Sequence, residues 1–161
     1  TSFLVQFPSY LHENLNLVLS ALEYLNLPIH LEYFKEVQLF GRCQKIASNI
    51  TIDVGHNPLA ARVILNEFLN QNKTVSLVYN SLSDKDYKTV LTLLKPIINE
   101  VLIIDVDDKR VVQKEILFDI CNELNLAVET FSHIEAHKEY LVFGSFTVVE
   151  QFLKTVMRYE K

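Results

Sequence analysis

Three short polar motifs hold all three glycines of this 161-residue chain: Gly41-Arg42-Cys43-Gln44, Asp53-Val54-Gly55-His56-Asn57-Pro58 and Gly144-Ser145-Phe146. A chain this sparing with glycine is expected to place it where backbone turns sharply or approaches a ligand, because elsewhere glycine only adds unfolded-state entropy. The second motif lies between the strand-like run Ile50-Thr51-Ile52 and the helical pattern Leu59–Leu65. Asn57 suits an N-cap and Pro58 the first helical position, where its missing N–H is not needed. Such a strand-turn-helix corner aims free N–H groups and the positive end of a helix dipole at a bound anion. The plainer alternative is that these are ordinary turn glycines.

The side chains beside these glycines have defined chemistry. Arg42 is a planar, permanent cation suited to phosphate or to stacking on adenine; its bland alternative is an interdomain salt bridge. Asp53, at a strand tip, can accept from ribose hydroxyls or simply cap its turn. His56 precedes a helix N-terminus, where positive potential disfavours the imidazolium. A neutral imidazole there can orient a carboxylate or an incoming amine, which makes His56 the catalytic candidate; a purely structural bond to the turn is the alternative. Lys85 and Ser145 offer an ammonium and a hydroxyl to a carboxylate, or else a surface charge and an N-cap. Asp105, Asp107 and Asp108 can hold Mg²⁺, but capping a helix that starts near Val111 is preferred. His12, His30, His133 and His137 lack zinc spacing, and the isolated Cys43 and Cys121 fit neither a metal site nor a nucleophile.

From residue 44 onward, short apolar runs alternate with amphipathic segments. Strands are predicted at Gln44–Ala47, Ile50–Asp53, Val75–Tyr79, Val101–Val106, Ala127–Thr130 and Tyr140–Phe143. Helices are predicted at Leu59–Asn70, Tyr87–Ile97, Val111–Leu124 and Thr147–Tyr159, with a short one near His133–Lys138. This rhythm predicts an α/β fold: a mostly parallel, mixed sheet of about six strands flanked by helices, binding ligands at the carboxyl ends of its strands. Residues 1–38 instead read as helices, Glu13–Leu27 and Ile29–Glu36, without a sheet of their own. They are expected to be the tail and linker of a preceding domain, with the sheet-containing domain over 39–161. The start at Thr1 and the single Met157 also fit a piece of something larger.

The net charge of −5 and the lack of a basic stripe argue against nucleic-acid binding. No apolar run approaches the roughly 20 residues of a membrane span, no signal peptide is legible, and the cysteine usage suggests the cytoplasm.

In order along the chain, His12-Glu13-Asn14 with Leu19-Ser20-Ala21-Leu22, Gly41-Arg42-Cys43-Gln44, Asp53-Val54-Gly55-His56-Asn57-Pro58, Asp84-Lys85-Asp86 and Leu141-Val142-Phe143-Gly144-Ser145-Phe146 resemble five motifs of one family. That family is dihydrofolate synthase/folylpolyglutamate synthase, among the Mur-ligase-like enzymes. The resemblance covers nearly the whole chain and implies a Rossmann-like carboxyl-terminal domain preceded by a helical tail of the central ATP-binding domain. Gly55 replaces the family's usual alanine, a small-for-small change expected to be tolerated. Asn80 stands where glycine is common before Asp84-Lys85-Asp86, which predicts a loop of different shape.

The resemblance implies that ATP phosphorylates a pterin-linked carboxylate and that the amine of L-glutamate attacks the acyl phosphate. It further implies Asn14, Arg42 and Asp53 on ATP, His56, Lys85 and Ser145 on glutamate, dihydropteroate or folate as co-substrate, and a monomer. Mg²⁺ would be held mainly by an amino-terminal P-loop domain packed against this one. No G-x-x-x-x-G-K-[ST] occurs in the chain, so a lid half, inactive alone, is expected. Asn14 alone would equally read as a helix cap. The competing class is a free-standing doubly wound nucleotide-binding or signalling module. Asp105-Val106-Asp107 sits on a middle strand, unlike an aspartyl phosphatase motif, and Gly144-Ser145 lacks the surroundings of a serine hydrolase.

Overall fold

The computed structural model describes residues 9–34 and 39–159, and the chain divides into two compact units, Thr1–Leu39 and Phe40–Lys161. The first holds α1 (Ser9–Tyr24) and α2 (Leu31–Phe34). Part of the predicted second helix, 35–36, lies outside the described residues. Helix α1 starts four residues before the predicted Glu13 and stops three before Leu27. The stop is local: Asn26 takes a positive φ of 52° while Leu27 N–H reaches the Leu22 carbonyl at 2.9 Å. This is a Schellman stop with asparagine in the position glycine usually fills.

The second unit runs β1 (Gln44–Ala47), β2 (Ile50–Asp53), α3 (Pro58–Asn70), β3 (Val75–Tyr79), α4 (Tyr87–Leu94) with a 3₁₀ turn at Lys95–Ile97, β4 (Ile98–Ile103), α5 (Lys114–Glu123), β5 (Val128–Thr130), β6 (Tyr140–Phe143) and α6 (Phe146–Tyr159). Helices α3 and α5 stop as α1 does, at Asn72 (φ 51°) and Asn125 (φ 55°). Asparagine tolerates the left-handed region better than other side chains, and its use at all three stops leaves glycine for other tasks.

The six strands lie in the order β1-β2-β6-β3-β4-β5, with β1 antiparallel and the rest parallel; a mostly parallel, mixed sheet of about six strands is what the sequence predicts. Alternation within strands feeds two hydrophobic layers. Leu77, Tyr79, Val101, Ile103, Leu141 and Phe143 pack with α3, α4 and α5 on one face; Val78, Leu102, Tyr140 and Val142 pack with Val148, Val149 and Phe152 of α6 on the other. With both faces covered, β3 and β6 are buried along their whole length, the expected state of a parallel sheet.

Three expected elements differ, each because of a distant partner. Strand β4 begins at Ile98, three residues early, since Ile98 and Glu100 already pair with Val75 and Ser76. Helix α5 begins at Lys114, three residues late, because Val111 makes an antiparallel bridge to Leu82 and Val112 N–H donates to the Ser81 carbonyl at 2.8 Å. No helix forms at 133–138: Glu135 N–H is taken by the Tyr140 hydroxyl at 3.0 Å, and Lys138 bridges Glu135 and Glu100.

Gly144 sits at φ 152° directly after β6, and a Cβ there would collide with the Asn80 backbone carbonyl of the neighbouring β3 loop. Backbone cannot yield as a flexible side chain can. Gly144→Ala should therefore destabilise the sheet unit by about 2 kcal/mol or more, read as a lower urea midpoint with an unchanged m-value.

Candidate ligand site at the carboxyl ends of the strands

Strand order decides which predicted residues meet. His56 follows β2, Ser145 follows β6 and Lys85 follows β3, three adjacent parallel strands. Antiparallel β1 starts at the same edge, so Arg42, two residues before it, joins them. This edge is where open α/β sheets bind ligands. Asn14 lies on α1 of the helical unit; it is exposed and in the second turn of a helix that starts at Ser9, which removes the cap alternative.

The Arg42 turn is fixed by backbone. Val54 N–H donates to the Gly41 carbonyl at 2.8 Å, and Gly41 N–H donates to Gln44 Oε1 at 2.9 Å. Gly41 takes φ 67°, and a Cβ on it would lie 2.5 Å from Val54 Cγ1. Cys43 also has a positive φ, 44°, and its N–H donates to Asp53 Oδ2 at 2.9 Å. The other Asp53 oxygen accepts from Gly55 N–H at 2.6 Å. Asp53 is 4% exposed. Burial raises its carboxyl above the ordinary range, opposed by these two N–H groups and by the Arg42 charge.

Asn57 caps α3 with Oδ1 accepting from Ala60 N–H at 2.9 Å, and Pro58 occupies the first turn, as the motif predicts. His56 is half-buried, with Nδ1 3.2 Å from the Val54 carbonyl oxygen. A carbonyl only accepts, so this contact requires the proton on Nδ1; a neutral ring then keeps a lone pair on Nε2. Glycine is accommodated at position 55, but the exchange does not run both ways. A Cβ there would lie 2.6 Å from Ala60 Cβ, 2.7 Å from Asp53 Oδ1 and 2.8 Å from Phe143 Cε2, so the corner in this chain is packed for glycine.

Ser145 is 8% exposed; its hydroxyl oxygen accepts from Val148 N–H at 3.3 Å and its carbonyl from Val149 N–H at 3.1 Å. Lys85 borders an open cavity of about 460 Å³ shared with Ser83, Tyr87, Lys88 and Ile120. Its ammonium pairs with Asp84 Oδ2 at 2.9 Å, so an incoming anion meets an occupied cation.

Three residues that motif reading left out or misread hold this loop. Asn80 is buried, donating from Nδ2 to the Ile104 carbonyl at 2.7 Å while its Oδ1 accepts from Ser81 N–H at 2.7 Å. Its φ is not positive, so glycine's freedom is not needed there. Asp108 does not cap α5, whose N-cap is Gln113. It accepts from Arg110 Nη2 at 2.7 Å and from the Arg110 N–H and Nε, which draws its carboxyl down to about 2, and the Arg110 carbonyl receives Ser83 N–H at 2.8 Å. Asp105 faces Lys114 at 3.6 Å. Among the described residues no group of three or more His, Cys, Asp or Glu could hold a metal ion, and no helix is long and apolar enough to cross a membrane.

No protein-family model and no curated protein matches the chain. Solved structures do. Helicobacter pylori folylpolyglutamate synthetase is 39% identical with a TM-score of 0.77, the match covering 92% of this chain and 40% of that one. The chain belongs to the folylpolyglutamate synthase/dihydrofolate synthase family. A bifunctional folylpolyglutamate synthase/dihydrofolate synthase with Mn, AMPPNP and L-glutamate bound is 26% identical, TM-score 0.67, over 84% of this chain and 37% of that one. E. coli FolC in complex with DHPP and ADP, 22% identical with a TM-score of 0.75 over 89% and 38%, shares the fold. The chain thus spans about two fifths of the first of these synthetases, and its six-stranded α/β unit matches the carboxyl-terminal domain of the family.

A carboxyl whose folded pKa is raised binds more protons in the folded than in the unfolded chain once the pH passes the ordinary aspartate value of about 3.9. The Asp53 contribution is therefore fully present below that value and declines as pH rises through the raised folded pKa. Asp53→Asn removes this titration. The stability difference between wild type and variant should move in the variant's favour as the pH rises above about 4, measured by paired urea titrations; a shift the other way would refute the direction assigned to Asp53.

Proposed function

We propose that the chain is the carboxyl-terminal part of an ATP-dependent ligase that adds L-glutamate to dihydropteroate, folates or both, in the cytoplasm. Residues 1–38 would be the tail of a central ATP-binding domain and 39–161 the glutamate-ligase domain. The observation that carries the reading is the convergence of His56, Ser145 and Lys85 on the ends of three neighbouring strands, with Arg42 at the same edge. A free-standing binding module is not favoured, because a family of ligases matches over nine tenths of the chain.

In the proposed reaction a pterin-linked carboxylate attacks the γ-phosphorus of ATP, forming an acyl phosphate and releasing ADP. The glutamate amine then attacks the acyl carbon, loses a proton and expels phosphate. Mg²⁺ would be held by the amino-terminal domain, where it would offset phosphate charge. Arg42 and Asp53 serve ATP, and Asn14 is assigned to it by its motif. The Nε2 lone pair of His56 faces the incoming amine, while Lys85 and the Ser145 corner hold glutamate carboxylates. Closure of this unit over the P-loop domain, as a monomer, would complete the site.

Phosphoryl transfer depends on a phosphate cradle and a metal. The 161-residue chain alone should therefore show no glutamate-dependent ADP release, and calorimetry should find ATP binding no tighter than about millimolar. Micromolar binding would favour the free-standing module. In the full-length ligase, Lys85→Ala deletes a charge-assisted hydrogen bond worth roughly 1.5–3 kcal/mol. Because Asp84 already competes for that ammonium, the glutamate KM should rise near the low end of the range, about tenfold. The KM for ATP should stay fixed, and Arg42→Ala should give the reverse. Equal shifts in both constants for both variants would overturn the division by ligand.

A further inference from the structure

Asp84 sits in a turn that backbone bonds hold in place. Leu82 bridges antiparallel to Val111, Ser83 N–H donates to the Arg110 carbonyl at 2.8 Å, and Lys85 N–H closes the turn on the Leu82 carbonyl at 3.1 Å. This register sets Arg110, on the loop between β4 and α5, against the residue next to Asp84. The two carboxylates of Asp84-Lys85-Asp86 have different tasks. Asp86 caps α4, its Oδ1 accepting from Thr89 N–H at 3.1 Å. Asp84 caps nothing: it is exposed, and it holds the Lys85 ammonium at 2.9 Å. Arg110 is exposed as well, and its guanidinium is not fully engaged. Nε and Nη2 donate to Asp108 at 3.1 and 2.7 Å, whereas Nη1 makes no hydrogen bond among the described residues. The Lys85 bond holds the Asp84 carboxyl below its ordinary range, and the Arg110 charge acts on it in the same direction.

A carboxylate next in sequence to the ammonium it pairs with is a tethered competitor, present at an effective concentration of roughly millimolar or above. A substrate carboxylate that takes Lys85 must displace Asp84, and the displaced charge would stand unpaired beside a second anion, which like-charge repulsion opposes. We propose that Arg110 is a positioning residue for the glutamate subsite, receiving the Asp84 carboxylate on its unengaged edge when Lys85 turns to the substrate. The inference rests on the assignment of Lys85 to glutamate. Arg110 then acts through Asp84 and touches neither ligand. The exchange keeps every charge paired, so the subsite selects an anion without presenting a bare cation beforehand.

A double-mutant cycle in the full-length ligase tests the exchange, with kcat and both KM values measured for each variant. Arg110→Gln should raise the glutamate KM about fivefold and leave the ATP KM and kcat unchanged. Arg110→Lys, which loses the fork to Asp108 but keeps the charge, should stay within about twofold of wild type. Asp84→Asn should lower the glutamate KM, and Arg110→Gln should add nothing in that background. An equal effect of Arg110→Gln with and without Asp84 would overturn the exchange, as would Arg110→Lys as impaired as Arg110→Gln, or a rise in glutamate KM in Asp84→Asn. A second readout does not involve glutamate. In the 161-residue chain, the Asp84 carboxyl, followed by ¹³C resonances through acid pH, has Lys85 and Arg110 as its charged neighbours. Its midpoint should stay below the ordinary aspartate value in Lys85→Gln and return to that value only when Arg110→Gln is added. A return in Lys85→Gln alone would show that Arg110 does not receive Asp84. If Lys85→Ala left the glutamate KM of the ligase unchanged, the assignment of Lys85 would fall, with the carboxyl titration still deciding the exchange.

Discussion

The insertion of β6 between β2 and β3 is the constraint on which the site depends. Tyr140–Phe143 is bonded on both sides, to Ile50–Asp53 and to Ser76–Tyr79, and is buried throughout. Without it β2 and β3 would have no common neighbour, and the loops bearing His56 and Lys85 would lose the Ser145 corner between them. The last strand must therefore find its slot after some sixty residues of intervening chain, a loop closure whose entropy opposes folding until apolar burial on both faces offsets it. The entry to that slot is marked by polar contacts at the opposite edge of the sheet. Lys138 bridges Glu100 and Glu135 at 2.9 and 2.7 Å, Ser76 Oγ donates to Glu100 at 2.7 Å, and Asn49 Nδ2 donates to the Lys138 carbonyl at 2.8 Å. The charged groups are part-exposed and worth little singly. Their value is directional, since they fix register where β6 begins.

Elements whose signal is local were legible in the sequence. The corner at 53–58 needs only a strand tip, an N-cap and a proline within six residues, and it forms as read. The fully apolar β3 and β6 declared themselves by composition, and family motifs in order pointed to the fold. What escaped depended on a partner far along the chain. Val111 has helix-compatible neighbours and nothing nearby to say that Leu82 will hold it extended. The run 133–138 has polar residues that cap helices as readily as loops, until the Tyr140 hydroxyl takes an N–H. Within the candidate site the limit was the same. Motif spacing placed Asp53 at a strand tip, where an exposed carboxylate is free for a ligand. Its burial and its bond to Cys43, ten residues back, exist only once β1 has paired.

A buried carboxylate is a costly way to hold two turns, because desolvation penalises the ionised form. Asparagine would avoid the charge but offers one acceptor oxygen, and its amide would present N–H to N–H at the second turn. Two backbone donors converging on one side chain select for aspartate, and the nearby Arg42 charge offsets part of the desolvation. The same logic explains the crowding at Gly55: the shorter the bond to Oδ1, the less room remains for a Cβ.

The two proposed subsites are consequently built on different principles. At the Arg42 and His56 turns the backbone is fixed by buried bonds before any ligand arrives, so recognition there costs little ordering entropy. At Lys85 the loop is fixed through Asn80, Ser81 and Arg110, but the ammonium itself is already paired with the exposed Asp84. A carboxylate binding to Lys85 exchanges one partner for another, which yields modest affinity and a bond that is easily released. In the proposed ligase that difference would be useful. A nucleotide must be held in one geometry while phosphorus is transferred, whereas glutamate becomes part of the product and has to leave with it.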